Sequence, residues 1–142
     1  MLYTVGSAAE TERVGFDLAR WLDENKIKKA YIAMKGEMGV GKTVFVRGFA
    51  SYFGIVGVKS PTYTVVNEYR SDGARIFHFD LYRIEDGDDL YSIGYDDYIA
   101  SEGYSIVEWS EKAEDEIPEG AITVTIERTD KEEERTVEIT MP

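Results

Sequence analysis

The run Gly36-Glu37-Met38-Gly39-Val40-Gly41-Lys42-Thr43 constrains this chain more than any other stretch. It fits G-x-x-x-x-G-K-[ST], the pattern of a phosphate-binding P-loop. The flanks agree with that reading. Ala30-Tyr31-Ile32-Ala33-Met34 predicts a short buried strand before the loop, and Thr43 to Ala50 predicts a helix after it with Phe45 and Phe49 on one face. Strand, glycine loop, helix is the order such a site requires. Glycines let the backbone curl so that successive N–H groups converge on phosphate oxygens. The helix N-terminus adds roughly half a positive charge. Gly36, Glu37, Met38, Gly39, Val40 and Gly41 are therefore expected to cradle phosphates, Lys42 to reach the outer ones, and the Thr43 hydroxyl to ligate Mg²⁺.

Composition narrows the chemistry further. A chain of 142 residues, 43% of them hydrophobic, is expected to form one domain spanning 1–142 with a sizeable core. No apolar run approaches the roughly 18 residues of a membrane helix, and the residues after Met1 lack the basic and apolar regions of a secretory signal. There is no cysteine, which excludes thiolate metal sites, and with His78 the single histidine a histidine-based site is not expected; the expected ion is a hard one held by oxygens, Mg²⁺. A cytoplasmic location fits these features. The net charge of 16 − 28 = −12 opposes direct binding of nucleic acid and suits a basic protein partner.

Along the chain, Leu2–Val5 reads as an edge strand. Ser7-Ala8-Ala9-Glu10 reads as a capping box opening a helix to about Asp23, with Val14, Leu18 and Leu22 on its buried face. The P-loop helix is expected to stop near Phe53-Gly54, with Gly54 as a left-handed cap. Thr64–Tyr69 and Arg75–Phe79, separated by Ser71-Asp72-Gly73, predict a hairpin. Residues 84 to 100 are acidic and rich in tyrosine and predict short helices broken at Gly94. Tyr104–Val107 predicts a buried strand, and Ala121–Ile126 with Thr136–Ile139 a final hairpin. The expected fold is α/β: a three-layer P-loop NTPase fold with a mixed sheet, parallel at the centre and antiparallel in the hairpins beside it.

A P-loop needs a second acid near Mg²⁺, commonly an Asp ending an apolar strand. Ile76-Phe77-His78-Phe79-Asp80 has that form, and ligands in open α/β sheets sit beyond the carboxyl ends of strands, so Asp80 should face the crevice that holds Thr43. Glu108 ends a second apolar strand. It either orients the attacking water or opens the solvated acidic segment behind it, and spacing does not choose. Trp109 covers the nucleotide or fills the core. Ser60-Pro61-Thr62 is placed where P-loop switch proteins carry a threonine that senses the γ-phosphate, and it also fits an ordinary tight loop. His78 reads as a hydrogen-bonded core residue before it reads as a catalyst. The acidic residues Glu111, Glu114, Asp115, Glu116 and Glu119 read as a solvated face. After Asp80 the basic residues Arg83, Lys112, Arg128, Lys131 and Arg135 form no lid-like cluster, and Arg83 is the one expected near a strand tip.

Taken together, Gly36 to Thr43, Ser60-Pro61-Thr62-Tyr63-Thr64 with Asn67-Glu68-Tyr69, His78-Phe79-Asp80-Leu81-Tyr82-Arg83 and Glu108-Trp109-Ser110 resemble, in order and spacing, the TsaE (YjeE) family, the small bacterial ATPase of tRNA threonylcarbamoyladenosine biosynthesis. The match covers about residues 36 to 110. The resemblance implies binding and hydrolysis of ATP with Mg²⁺, with Lys42, Asp80 and Glu108 in catalysis, Thr43, Asp80 and Glu108 around the metal, Trp109 at the nucleotide and a switch-like Thr62 loop. It implies work with the proteins TsaD and TsaB, while the acidic charge argues against tRNA binding by this subunit itself. Glu37 and Val40 stand where Asp and Ala are frequent, and the cradle does not use either side chain. A GTPase would carry Asp-x-x-Gly and Asn-Lys-x-Asp, and neither occurs. A small-molecule kinase would bring lid cations that are missing here. A nucleotide-gated adaptor is the non-enzymatic alternative.

Overall fold

The strand β2, Ala30–Lys35, lies at the centre of the sheet and is buried along its middle four residues. Such a strand, covered on both faces, reads as an unbroken apolar run because both sets of side chains meet a core. The structure, a computed structural model, describes residues 1–61 and 65–142. In chain order its other elements are β1 (Leu2–Val5), α1 (Ala8–Glu24), α2 (Lys42–Tyr52), β3 (Val66–Ser71), β4 (Ala74–Asp80), α3 (Gly87–Ser92), α4 (Tyr95–Ala100), β5 (Tyr104–Glu108), a 3₁₀ segment (Ser110–Glu116), β6 (Ile122–Arg128) and β7 (Arg135–Thr140). Among the described residues the sheet has seven strands in the order β1-β7-β6-β2-β5-β4-β3. Strands β6, β2, β5 and β4 run parallel, and β1–β7, β6–β7 and β3–β4 are antiparallel. The fold is thus α/β with a mixed sheet, as expected.

Each face of the sheet carries its own core. Leu18, Leu22, Phe45 and Phe49 of α1 and α2 close on Ile32, Ile106 and Val124 on one side. Leu90 and Tyr95 of α3 and α4 close on Tyr31, Phe77, Phe79 and Val107 on the other. This is the three-layer arrangement. Ser7 caps α1, its Oγ accepting from the Glu10 N–H (3.2 Å). The Glu10 carboxylate returns to the N–H of Gly6, one residue earlier than a standard capping box.

The packing of α1 on α2 is what aims the P-loop. At Gly48 an added Cβ would lie 1.9 Å from the Glu12 carbonyl oxygen, and at Gly15 it would lie 2.2 Å from that of Phe45. The two helix backbones therefore touch, and α2 is held close beneath the loop it begins. The helix ends as predicted, with Gly54 at φ +79° just past it. The first hairpin differs slightly from its prediction. Its turn is the pair Asp72-Gly73, and Ser71 pairs with Ala74 inside the ladder. Strand β3 begins at Val66, because Val65 adopts φ +66° and leaves the extended conformation.

All four parallel strands end at one edge of the sheet. The register sets Asp80 of β4 beside Glu108 of β5, and Glu108 beside Met34 of β2, which leads into the P-loop. No helix among the described residues is long and apolar enough to cross a membrane.

Candidate functional site

The P-loop follows directly from β2, and α2 starts at Lys42. Gly39 and Gly41 sit at φ +79° and +112°, conformations that side chains other than glycine's rarely tolerate. Val40 between them buries its side chain in the core and fastens the loop from below. The loop walls a cleft of about 490 Å³ together with Ser60, Pro61, Asp80, Tyr82, Glu108 and Trp109. Of the residues singled out from the sequence, Met38, Gly39, Gly41, Lys42, Thr43, Asp80, Glu108 and Trp109 thus meet at one place. Gly36, Glu37 and Val40 face a smaller cavity behind the loop, which Trp109 also lines. Thr62 lies outside the described residues.

Lys42 is 4% exposed, and its ammonium donates to the carbonyl of Gly36 (2.5 Å) while resting 3.9 Å from the centre of the Trp109 ring. Burial pushes this lysine below its ordinary pKa, against the opposing pull of Glu108, Glu111 and Asp80. A desolvated cation at the mouth of a glycine loop is poised to exchange these neutral partners for an anion. Trp109 itself is in the left-handed region at φ +58°, which turns its ring back over Lys42 and against Tyr82, 5.0 Å away between ring centroids. It is a wall of the cleft more than a core residue.

The carboxylates occupy different environments. Glu108 is 3% exposed; its Oε2 accepts from the Thr43 hydroxyl (3.2 Å) and lies 2.5 Å from Nε2 of His78. Asp80 is partly exposed. Its Oδ1 accepts from the N–H of Tyr82 (3.0 Å), and its Oδ2 accepts from the Ser60 hydroxyl (3.4 Å). Burial raises the Asp80 carboxyl above its ordinary pKa, the Tyr82 N–H opposes that, and the charge of Glu108 adds to it. Two acids side by side at adjacent strand ends repel unless a cation lies between them. Thr43, Asp80 and Glu108 supply only oxygen, the donor set of a hard ion. That fits Mg²⁺, which takes one or two carboxylates and completes its shell with water and phosphate oxygens.

Three placements were not readable from spacing. The Thr43 hydroxyl bonds directly to Glu108, whereas the sequence put Thr43, Asp80 and Glu108 in one crevice without saying which acid it would meet. His78 is fully buried against Glu108, and its Nδ1 has no hydrogen-bond partner among the described residues. Arg83 is also not alone near a strand tip: Arg128 ends β6 and Arg135 opens β7, and both reach the P-loop backbone. The sequence signal for this was only the basic residue at each end of a hairpin whose tip is acidic.

The raised Asp80 carboxyl gives a prediction with a sign. A group whose folded-state pKa is raised favours folding while protonated, and that contribution is lost as pH rises through the folded value. Asp80→Asn should therefore melt at a higher temperature than the natural chain at pH 7. The gap should close as pH falls below about 4, where the aspartate is neutral in both states. Melting curves over that range check this, and a lower melting temperature for the variant at pH 7 would contradict it.

Comparison with known proteins gives consistent results. The family model for "Threonylcarbamoyl adenosine biosynthesis protein TsaE" matches residues 5–137. A tRNA threonylcarbamoyladenosine biosynthesis protein TsaE of Haemophilus influenzae is 42% identical over 104 residues, 72% of this chain and 66% of that protein. Its counterpart in Bacillus subtilis is 35% identical over 103 residues, 72% of this chain and 64% of that protein. The matched stretch thus spans just under two thirds of these two relatives. The Treponema pallidum counterpart is 32% identical over 121 residues, 84% of this chain and 86% of the relative. The crystal structure of YdiB from Bacillus subtilis is similar with a TM-score of 0.78 and 26% identity, over 99% of this chain and 84% of that one.

Proposed function

The chain belongs to the TsaE family of threonylcarbamoyladenosine biosynthesis, and from that premise we propose that it binds ATP with Mg²⁺ in the P-loop cleft and hydrolyses it in the service of that tRNA modification. The observation that carries the reading is the convergence on one cleft of a buried lysine, a threonine hydroxyl and two strand-end carboxylates. Backbone N–H groups of the loop and Lys42 hold the phosphates. Thr43 and Asp80 would hold Mg²⁺, with Glu108 behind Thr43. When bound, that ion would supply positive charge to offset the phosphates and the neighbouring carboxylates. Glu108, oriented by His78 and Thr43, is the group placed to align or deprotonate water. Trp109 shelters the cleft beside Lys42.

Hydrolysis by the subunit alone is expected to be slow. Phosphoryl transfer is accelerated about 10³–10⁵-fold by a cationic finger. The loop-side arginines Arg128 and Arg135 are engaged with backbone carbonyls, which leaves Arg83, three residues beyond Asp80, as the further arginine lining the cleft, and we take it not to act as that finger unaided. We therefore assign the chain a place beside TsaD and TsaB, whose docking would complete the site and couple it to threonylcarbamoyl transfer. A net charge of −12 makes that docking electrostatic and salt-sensitive, and leaves tRNA to the partners. The test is ATP turnover with and without TsaB–TsaD at matched ionic strength, alongside tRNA binding by the subunit alone. Acceleration by the partners, with no tRNA binding, is expected. Fast turnover indifferent to the partners, with tight tRNA binding, would overturn the reading.

A further inference from the structure

Arg128 and Arg135 face each other as direct cross-strand partners on the last rung of the β6–β7 ladder. Like charges opposite one another in an antiparallel pair are destabilising. The chain carries 28 acidic residues, yet among the described residues neither arginine forms an ion pair with any of them. Both guanidinium groups turn instead to the outer side of the P-loop. Nη2 of Arg128 donates to the carbonyl of Met38 (3.3 Å), and Nε of Arg135 donates to that of Val40 (3.3 Å). Arg135 is held in place by two further bonds, from Nη1 to the carbonyls of Glu132 (2.8 Å) and Glu134 (2.9 Å).

Each of those loop carbonyls shares a planar peptide with the N–H of the following residue. In a trans peptide the two groups point in opposite directions. Drawing the Met38 carbonyl outward turns the Gly39 N–H inward, and drawing the Val40 carbonyl outward does the same for Gly41. Gly39 and Gly41 both line the cleft. They are also the residues at φ +79° and +112°, whose lack of a side chain leaves the loop free to adopt other shapes. A cation on a carbonyl also polarises the attached N–H and strengthens it as a donor.

We propose that Arg128 and Arg135 are positioning residues of the phosphate cradle: acting through the Met38 and Val40 carbonyls, they fix and polarise the Gly39 and Gly41 N–H groups that receive the nucleotide's phosphates. The proposal rests on the nucleotide-binding reading above and adds to it a second source of affinity, outside the P-loop motif. It gives the C-terminal hairpin a function beyond closing the sheet.

The test combines titration with a non-hydrolysable ATP analogue and Mg²⁺ with amide NMR spectra of the unliganded protein. Arg128→Gln and Arg135→Gln should each weaken analogue binding about tenfold, the scale of one charged hydrogen bond. The Gly39 amide proton should move upfield in the first variant and that of Gly41 in the second. Arg135→Lys, which keeps the charge and one donor, should recover affinity to within about threefold of the natural chain and return the Gly41 amide towards its position. Affinity within twofold in both Gln variants, or weakened affinity with both glycine amides unmoved, would overturn the proposal. If Arg135→Gln fails to fold, the exposed Arg128 alone decides by the same two readouts. Failure of the natural chain to bind the analogue would strike the nucleotide reading itself, with Lys42→Ala as the reference for lost binding.

Discussion

Lys42→Ala is expected to fold normally and to lose ATP affinity by a hundredfold or more. The lysine is almost wholly enclosed, and burial already disfavours its charge. Its present partners, one carbonyl and one aromatic face, are neutral. Replacing them by phosphate converts a poorly compensated cation into a charge-assisted pair in a site with little water, where such bonds are about twice as strong as neutral ones. Two such bonds of 1.5–3 kcal/mol each exceed the roughly 2.7 kcal/mol that corresponds to a hundredfold. The fold should survive because the deletion removes a buried charge together with the cost of burying it, leaving the Gly36 carbonyl beside the smaller cavity behind the loop, which solvent can enter. Calorimetric titration with ATP and Mg²⁺ measures the first part and thermal melting the second. Unchanged affinity in a folded variant would remove the P-loop from nucleotide binding altogether.

Much of the architecture could be read from local pattern. The strand before the loop, the capped first helix, the break at Gly94 and both hairpins follow from periodicity and from glycine, and the structure has all of them. The two acids at strand ends were legible for the same reason, as polar stops to apolar runs. The order of the strands was not. That β5 lies between β2 and β4 is a non-local pairing, and the contact of His78 with Glu108 exists only through it. A histidine two residues before an aspartate says nothing of an acid thirty residues on until the register is known. The arginines of the last hairpin were hidden in the same way. Each directly follows a glutamate, and their partners in the P-loop are carbonyls some ninety residues earlier, which no side-chain pattern encodes. Thr62, read as part of a switch-like loop, lies outside the described residues.

Glu108→Gln is expected to separate binding from chemistry, keeping ATP affinity within about threefold while single-turnover hydrolysis falls a hundredfold or more. The substitution preserves the length of the side chain, and its amide oxygen can still accept from Thr43. What it removes is basicity, together with one of the carboxylate's two oxygen acceptors, of which Oε2 alone now meets both Thr43 and His78. General-base assistance contributes about 10²–10⁴ to a rate, so a variant lacking it should fall by at least the lower figure. Asp80→Asn offers the contrast. Asp80 accepts from a backbone N–H and from Ser60 rather than from Thr43 or His78, and its loss should appear as weaker Mg²⁺-dependent affinity before it appears as a slower step. Both variants are best measured with TsaB and TsaD present, where turnover is expected to be fast enough to resolve the fall. If Glu108→Gln instead loses binding in step with rate, the glutamate holds metal and Thr43 in place and is not the base. If it loses neither, the carboxylate is a structural partner of His78 and water must be activated from another side of the cleft.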